Sequence, residues 1–203
     1  MGDFEIFSNG ELEKSMEKVN TISWMELLKT EYESLVNQLM CPERQKYELK
    51  ALGPDRMRIG SFMYDRKDSS ILTTRSVKLH CSHWIPVGIA KPMPCLLYLH
   101  GMTESRGGNK LAALEGLRVA AMLGMSLFAY DSRAHGLSGG DFVTYGYEEK
   151  HDLDEVLRVL HQNARISHVM LWGTGLGAAT ALQFVDMVES DAVSGNVRSH
   201  HDV

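Results

Sequence analysis

The period of apolar and polar positions changes twice along the chain and divides it into three stretches. Residues 1–20 are polar, acidic and unpatterned. From Ile22 to Leu39 apolar residues recur at Trp24, Leu27, Leu28, Leu35, Val36 and Leu39 with Glu and Lys between them. That spacing predicts an amphipathic helix, which Cys41-Pro42 closes. From about Tyr47 the texture becomes β-branched and aromatic, and Ser61–Tyr64, Ile71–Thr74 and Val77–Trp84 read as antiparallel strands. In the last of these, Val77, Leu79, Cys81 and His83 alternate with Lys78, His80 and Ser82, and Arg75-Ser76 is the expected tight connection before it.

Beyond Pro94 the pattern changes again. Cys95–Leu99 and Ser126–Tyr130 are short continuous apolar runs, as strands buried on both faces should be, and His168–Trp172 is a third. Helical patterns over Arg106–Leu123, Tyr147–Leu160 and Leu176–Val188 separate and follow them. Glu148 and Glu149 lie where the start of a helix favours negative charge. Strand and helix in strict alternation imply right-handed crossovers and parallel pairing. The predicted fold class is α/β: a mixed, mostly parallel sheet with flanking helices and the antiparallel strands at one edge. Residues 1–44 are assigned to an N-terminal extension with its helix, 45–190 to the α/β domain, and 191–203 to a disordered tail.

Composition narrows the choice of partners. A net charge of −5 gives no electrostatic reason to expect nucleic acid or an anionic membrane. The apolar runs are too short to span a bilayer. Asp3 and Glu5 interrupt any signal-peptide core, and Ile6 stands where a myristoylation motif needs Ser or Thr, so a cytoplasmic location is expected. Cys41, Cys81 and Cys95 are odd in number and form no C-x-x-C pair, which fits reduced structural thiols rather than zinc ligands or a disulfide framework. No H-E-x-x-H or carboxylate cluster at ligand spacing is present, so neither a metal nor a cofactor is expected.

Candidate chemistry gathers at the carboxyl ends of the three predicted parallel strands, the edge where open α/β sheets place their sites. The segments are Leu99-His100-Gly101-Met102, Asp131-Ser132-Arg133-Ala134-His135-Gly136-Leu137-Ser138-Gly139-Gly140, and Leu171-Trp172-Gly173-Thr174-Gly175-Leu176-Gly177-Ala178. Together with Gly146-Tyr147-Glu148-Glu149-Lys150-His151-Asp152-Leu153 they resemble the α/β-hydrolase superfamily, in particular its serine-aminopeptidase-like branch, over about Arg66 to Leu182. The resemblance implies a nucleophile in a G-x-S-x-G turn between strand and helix. It also implies an oxyanion hole built from backbone at Gly101, Met102 and Leu176.

That turn tolerates only small flanks, because strand and helix backbones nearly touch there. Centred on Gly175, the flanks are Gly173 and Gly177; centred on Thr174, they would be Trp172 and Leu176, which would clash. Thr174 therefore takes the variable position, and the nucleophile position falls on Gly175, which has no side chain to attack anything. Glycine also adopts without penalty the backbone angles that cost a serine about 1–3 kcal/mol. The residues after Gly175 read as one helix and a polar tail, which cannot present Asp186, Asp191, His200 or His201 as an acid and a base. His100 and His135 read as structural hydrogen-bonding residues.

The expectation is thus an incomplete α/β-hydrolase fold without catalytic residues, either a pseudoenzyme or a truncated product. One alternative is an ester, amide or peptide hydrolase known here from an incomplete sequence. A second is a binding or assembly module that self-associates, or takes a partner chain, at the sheet edge left open by His168–Trp172. A third reads Gly173-x-Gly175-x-x-Ala178 as a dinucleotide fingerprint, which requires Asp191 to close a following strand.

Overall fold

The computed structural model describes residues 24–41, 43–107 and 112–194. Contacts divide the chain into two units, residues 1–39 and 40–203. In the first, α1 (Trp24–Met40) covers the helix that the periodicity predicts. Among the described residues, none of the side chains of this helix is buried.

The second unit opens with a 3-10 turn at Leu49–Leu52 and continues through β1 (Arg56–Ile59), β2 (Phe62–Leu72), β3 (Lys78–Pro86), β4 (Met93–Leu99), α2 (Ala112–Met122), β5 (Ser126–Tyr130), α3 (Glu149–His161), β6 (Ile166–Gly173) and α4 (Leu176–Val193). The strands form a six-stranded sheet in the order β1-β2-β3-β5-β4-β6. β1–β2, β2–β3 and β3–β5 pair antiparallel, while β5–β4 and β4–β6 pair parallel. The sheet is mixed as expected, with an antiparallel share enlarged by the strands that precede β4.

The two apolar runs at the centre of the sheet explain the layers. Side chains alternate across a strand, so Leu96 and Tyr98 of β4 and Leu127 and Ala129 of β5 pack under Leu117 and Ala120 of α2. Cys95, Leu97, Leu99, Phe128 and Tyr130 point the other way, against Leu153, Val156 and Leu160 of α3 and Ala181 and Phe184 of α4. Helices therefore cover both faces. Leu97, Leu117 and Leu127 are fully buried, and each such side chain contributes about 1.5–3 kcal/mol.

The N-terminal strands depart from the sequence reading. Ser61–Tyr64 and Ile71–Thr74 are not separate strands; β2 runs unbroken through the polar stretch between them. Ion pairs explain how that stretch stays extended. Arg56 donates to Asp65 at 2.8 Å, and Arg66 donates to Asp55 at 2.7 Å and to Asp68 at 3.1 Å. The partner of Asp65 lies on β1, a strand that the apolar pattern does not reveal. The connection at Arg75-Ser76 is a tight turn, with Ser76 N–H donating to Thr73 O at 2.9 Å and Ser76 at φ 59°.

Two helix limits also move. Arg106 and Gly107 lie in a loop, and α2 starts at Ala112. α4 continues beyond Val188 to Val193, so residues 191–193 belong to a helix rather than to a tail; Ser194 ends it, its hydroxyl donating to Ser190 O at 2.9 Å. Residues 195–203 lie outside the described residues.

Candidate functional site

The carboxyl ends of β4, β5 and β6 meet at one edge, and each brings a different kind of structure. At the end of β4, His100 is buried and its two ring nitrogens are both engaged. Ser132 N–H donates to Nε2 at 2.9 Å. Nδ1 lies 2.8 Å from Gly101 O and therefore carries the proton. Burial pushes this imidazole down to about 4, and the ring of His135, 5.0 Å away between centroids, adds to the shift. His135 spans the two loops, with Nδ1 2.8 Å from Arg133 O and Nε2 2.7 Å from Met102 O.

At the end of β5, Asp131 is fully buried and collects donors from three parts of the chain. Tyr47 OH donates to it at 2.7 Å, Arg106 N–H at 2.7 Å and Leu137 N–H at 3.0 Å. The Arg106 guanidinium lies 3.8 Å from the carboxylate and donates to Tyr47 OH at 2.9 Å and Ser82 Oγ at 2.8 Å. Burial, then the Asp131 charge, raises the Tyr47 phenol well above its usual range. Gly136, at φ 47°, passes so close that a Cβ there would meet the Asp131 carboxylate at 2.5 Å. Ser138 Oγ donates to Asp131 O at 2.6 Å and accepts from His80 N–H at 2.8 Å. A second ion pair fixes the loop to α3: Arg133 grips Asp152 through two bonds of 2.7 and 3.0 Å. Burial pushes the Asp152 carboxyl up, and these bonds pull against that shift.

At the end of β6 the structure is a backbone turn. Thr174 N–H donates to Leu99 O at 3.0 Å and Gly177 N–H to Thr174 O at 2.9 Å. Gly175 sits at φ 50°, ψ −112°, a conformation that glycine adopts far more readily than other residues. A Cβ on Gly173 would lie 2.5 Å from Ala178 N, and one on Gly177 would overlap the backbone of Leu99. A Cβ on Gly175 would meet only Gly101 Cα, at 3.7 Å. The two outer glycines are thus sterically required, whereas the tip between them has room. Leu176 is the first residue of α4, so its N–H has no partner within the helix.

Glu104, which the sequence does not single out, sits beside this turn. Its Oε2 accepts from Gly101 N–H at 3.0 Å and lies 3.5 Å from Thr174 Oγ1 and 3.4 Å from Tyr98 OH. A carboxylate therefore takes the Gly101 N–H, one of the three backbone groups expected to line an oxyanion hole. Burial raises the Tyr98 phenol, which keeps it protonated.

The structure brings Gly101, Thr174 and Gly175 together, and His135 ties Met102 to Arg133 in the loop after β5. Asp186 and Asp191 both lie on α4, so Asp191 does not close a strand as a dinucleotide site needs. His200 and His201 lie outside the described residues. Tyr47, Glu104, Arg106 and Asp152 are the polar residues whose roles the sequence did not disclose. Asp152 had a pointer, since it lies in the Gly146–Leu153 stretch that resembles the hydrolases; for Tyr47, 84 residues from Asp131, no local pattern exists. Among the described residues, no group of three or more His, Cys, Asp or Glu is placed to hold a metal ion.

Comparison with solved structures defines the class of the fold. An esterase of Pyrococcus furiosus is 29% identical to this chain and superposes with a TM-score of 0.57, over 73% of this chain and 53% of its own. A Xanthomonas campestris protein, described as an α/β serine hydrolase without a lid, superposes with a TM-score of 0.52 over 61% of this chain and 57% of its own. At 20% identity that likeness shows the fold alone. The neighbours are α/β hydrolases, and the mixed six-stranded sheet with flanking helices is of their kind. An uncharacterized Bacillus subtilis protein, YqkD, is 33% identical over 97 residues, which is 47% of this chain and 30% of that protein. The chain spans about half the length of the solved esterase and less than a third of YqkD. No family profile matches the chain.

Proposed function

We propose that the chain, as it stands, is a hydrolase-like protein without hydrolase chemistry, a pseudoenzyme of the α/β-hydrolase class. The observation that carries this reading is the glycine at the tip of the turn after β6. Gly175 holds the backbone angles of a strained turn and offers no atom to attack a carbonyl. The flanking crowding at Gly173 and Gly177 argues against shifting the alignment to Thr174.

Two further features support it. The imidazoles next to the turn, His100 and His135, have both ring nitrogens engaged by backbone groups, which leaves neither poised as a general base. The Glu104 carboxylate beside Gly101 N–H puts negative charge where an acyl-transfer transition state would develop its own. A cytoplasmic setting belongs to the same proposal. Its support is three free cysteines, two of them buried with thiols pushed up by burial to about 12 at Cys81 and about 11 at Cys95. No described helix is long and apolar enough to cross a membrane.

A second reading, a working serine hydrolase whose sequence is in error at this codon or continues past Val203, draws on one observation. The tip has open space for the first atom of a side chain. Incubation of the purified chain with a fluorophosphonate serine probe tests the proposal. We expect no labelling above that of the heat-denatured control, and stoichiometric labelling of any serine or threonine overturns it. Resequencing the transcript across Gly175 and beyond Val203 then decides between the two readings.

A further inference from the structure

Residues 43–48 form neither helix nor strand, yet residues 40–47 are held at the carboxyl edge of the sheet by a defined set of contacts. Val143 N–H donates to Met40 O at 2.8 Å. Arg44 donates through Nη1 to Ser138 O at 2.8 Å and through Nη2 to Gly140 O. Gln45 Nε2 donates to Thr103 O at 2.6 Å. Tyr47 OH donates to Asp131 and accepts from Arg106 Nε, and its ring lies against Gly107, where a Cβ would overlap it. The strap thereby joins two loops. Thr103, Arg106 and Gly107 belong to the loop after β4, and Asp131, Ser138, Gly140 and Val143 to the loop after β5. All of these contacts lie within residues 40–143, and none involves β6 or α4.

We propose that residues 40–47 are a releasable latch, which when closed ties the two loops together and when open frees both while the sheet stays intact. The closed strap leaves two polar atoms unsatisfied. Gln45 Oε1 and Arg106 Nη2 are buried and, among the described residues, have no hydrogen-bond partner. Buried polar groups in that state favour a rearrangement that exposes them to water. The strap is fastened by single hydrogen bonds rather than by a strand ladder, and just beyond it Leu52 is buried in the core and anchors the chain. A segment of this kind opens as a local unit, without loss of the elements beneath it. Opening reaches the candidate site. Gln45 holds the carbonyl of Thr103, the residue before Glu104, so the closed strap also fixes the carboxylate that takes Gly101 N–H and lies beside Thr174. The inference holds whether or not the turn at Gly175 is catalytically silent.

Hydrogen exchange of the full chain, read by mass spectrometry, tests it. Arg44→Ala removes both bonds to Ser138 and Gly140, and Tyr47→Phe keeps the ring while removing the hydroxyl between Asp131 and Arg106. In Arg44→Ala, exchange across residues 101–107 and 134–143 should rise about tenfold or more, with β4 and β5 within about twofold of the parent. Tyr47→Phe should accelerate the same two loops by a smaller factor, and it carries the test where Arg44→Ala does not fold. Loop rates within about twofold of the parent in both variants overturn the proposal, since other contacts would then hold the loops. Acceleration of β4 and β5 to the same degree as the loops also overturns it, because the strap would then belong to the cooperative core. An increase confined to one loop overturns the claim that the strap bridges both.

Discussion

Asp131, at the end of β5, holds Tyr47, Arg106 and the backbone of Leu137 through hydrogen bonds from distant parts of the chain. Gly175, past the end of β6 and two strands away, holds no side-chain partner; its carbonyl accepts from Ala179 N–H at 3.1 Å, and its place depends on the shape of the backbone. Both stand at the same edge of one sheet. The first is stabilised by side-chain chemistry in a site sealed from water, where each buried polar group needs its partner. The second is stabilised by what is missing, since strand and helix approach only where no Cβ intervenes. The turn after β6 therefore keeps its shape without a side chain at its tip, because the glycines that crowding requires flank the tip rather than occupy it. The loop after β5 has no such freedom.

Substitutions at the two ends put this contrast to the test. Gly177→Ala should have the largest effect. Its methyl group would overlap the backbone of Leu99, which no side-chain rotation relieves, and a loss of more than about 4 kcal/mol is expected. Thermal melts and soluble yield measure it; a variant within 1 °C of the parent melting temperature would show that crowding does not shape the turn.

Asp131→Ala ranks next. It leaves the buried Arg106 guanidinium without its counter-charge and strips acceptors from Tyr47 and two backbone N–H groups. Breaking a buried pair this way costs about 3–5 kcal/mol. Urea denaturation reads it directly, and a cost below about 1 kcal/mol would mean that the network merely decorates the loop.

Acidification gives the smallest effect per residue. Burial depresses His100 and His83 from the usual 6.5 to about 4 each. The folded chain thus binds these protons more weakly than the unfolded chain. Their contribution is complete above pH 6.5 and declines as pH falls toward 4, at about 1.4 kcal/mol per unit for each histidine. Between pH 6.5 and pH 5 the folded state should lose about 2 kcal/mol per histidine. His100→Asn should flatten part of that slope; unchanged stability of the parent over this range would contradict the burial of both rings.

The sequence by itself determined the alternating strands and helices after Pro94, because burial on both faces leaves a local signature. Ser126–Tyr130 matches β5 residue for residue, and Cys95–Leu99 lies inside β4. It also determined the shape of the turn after β6, since steric exclusion at Gly173 and Gly177 is written in glycines two residues either side of the tip. It did not determine β1 or the continuity of β2, whose polar residues are held by cross-strand ion pairs that no single segment displays. Nor did it disclose that Tyr47 and Arg106 close over Asp131, or that Glu104 sits at Gly101 N–H. Those contacts join residues with no shared periodicity, and only the folded chain brings their donors and acceptors within hydrogen-bonding distance.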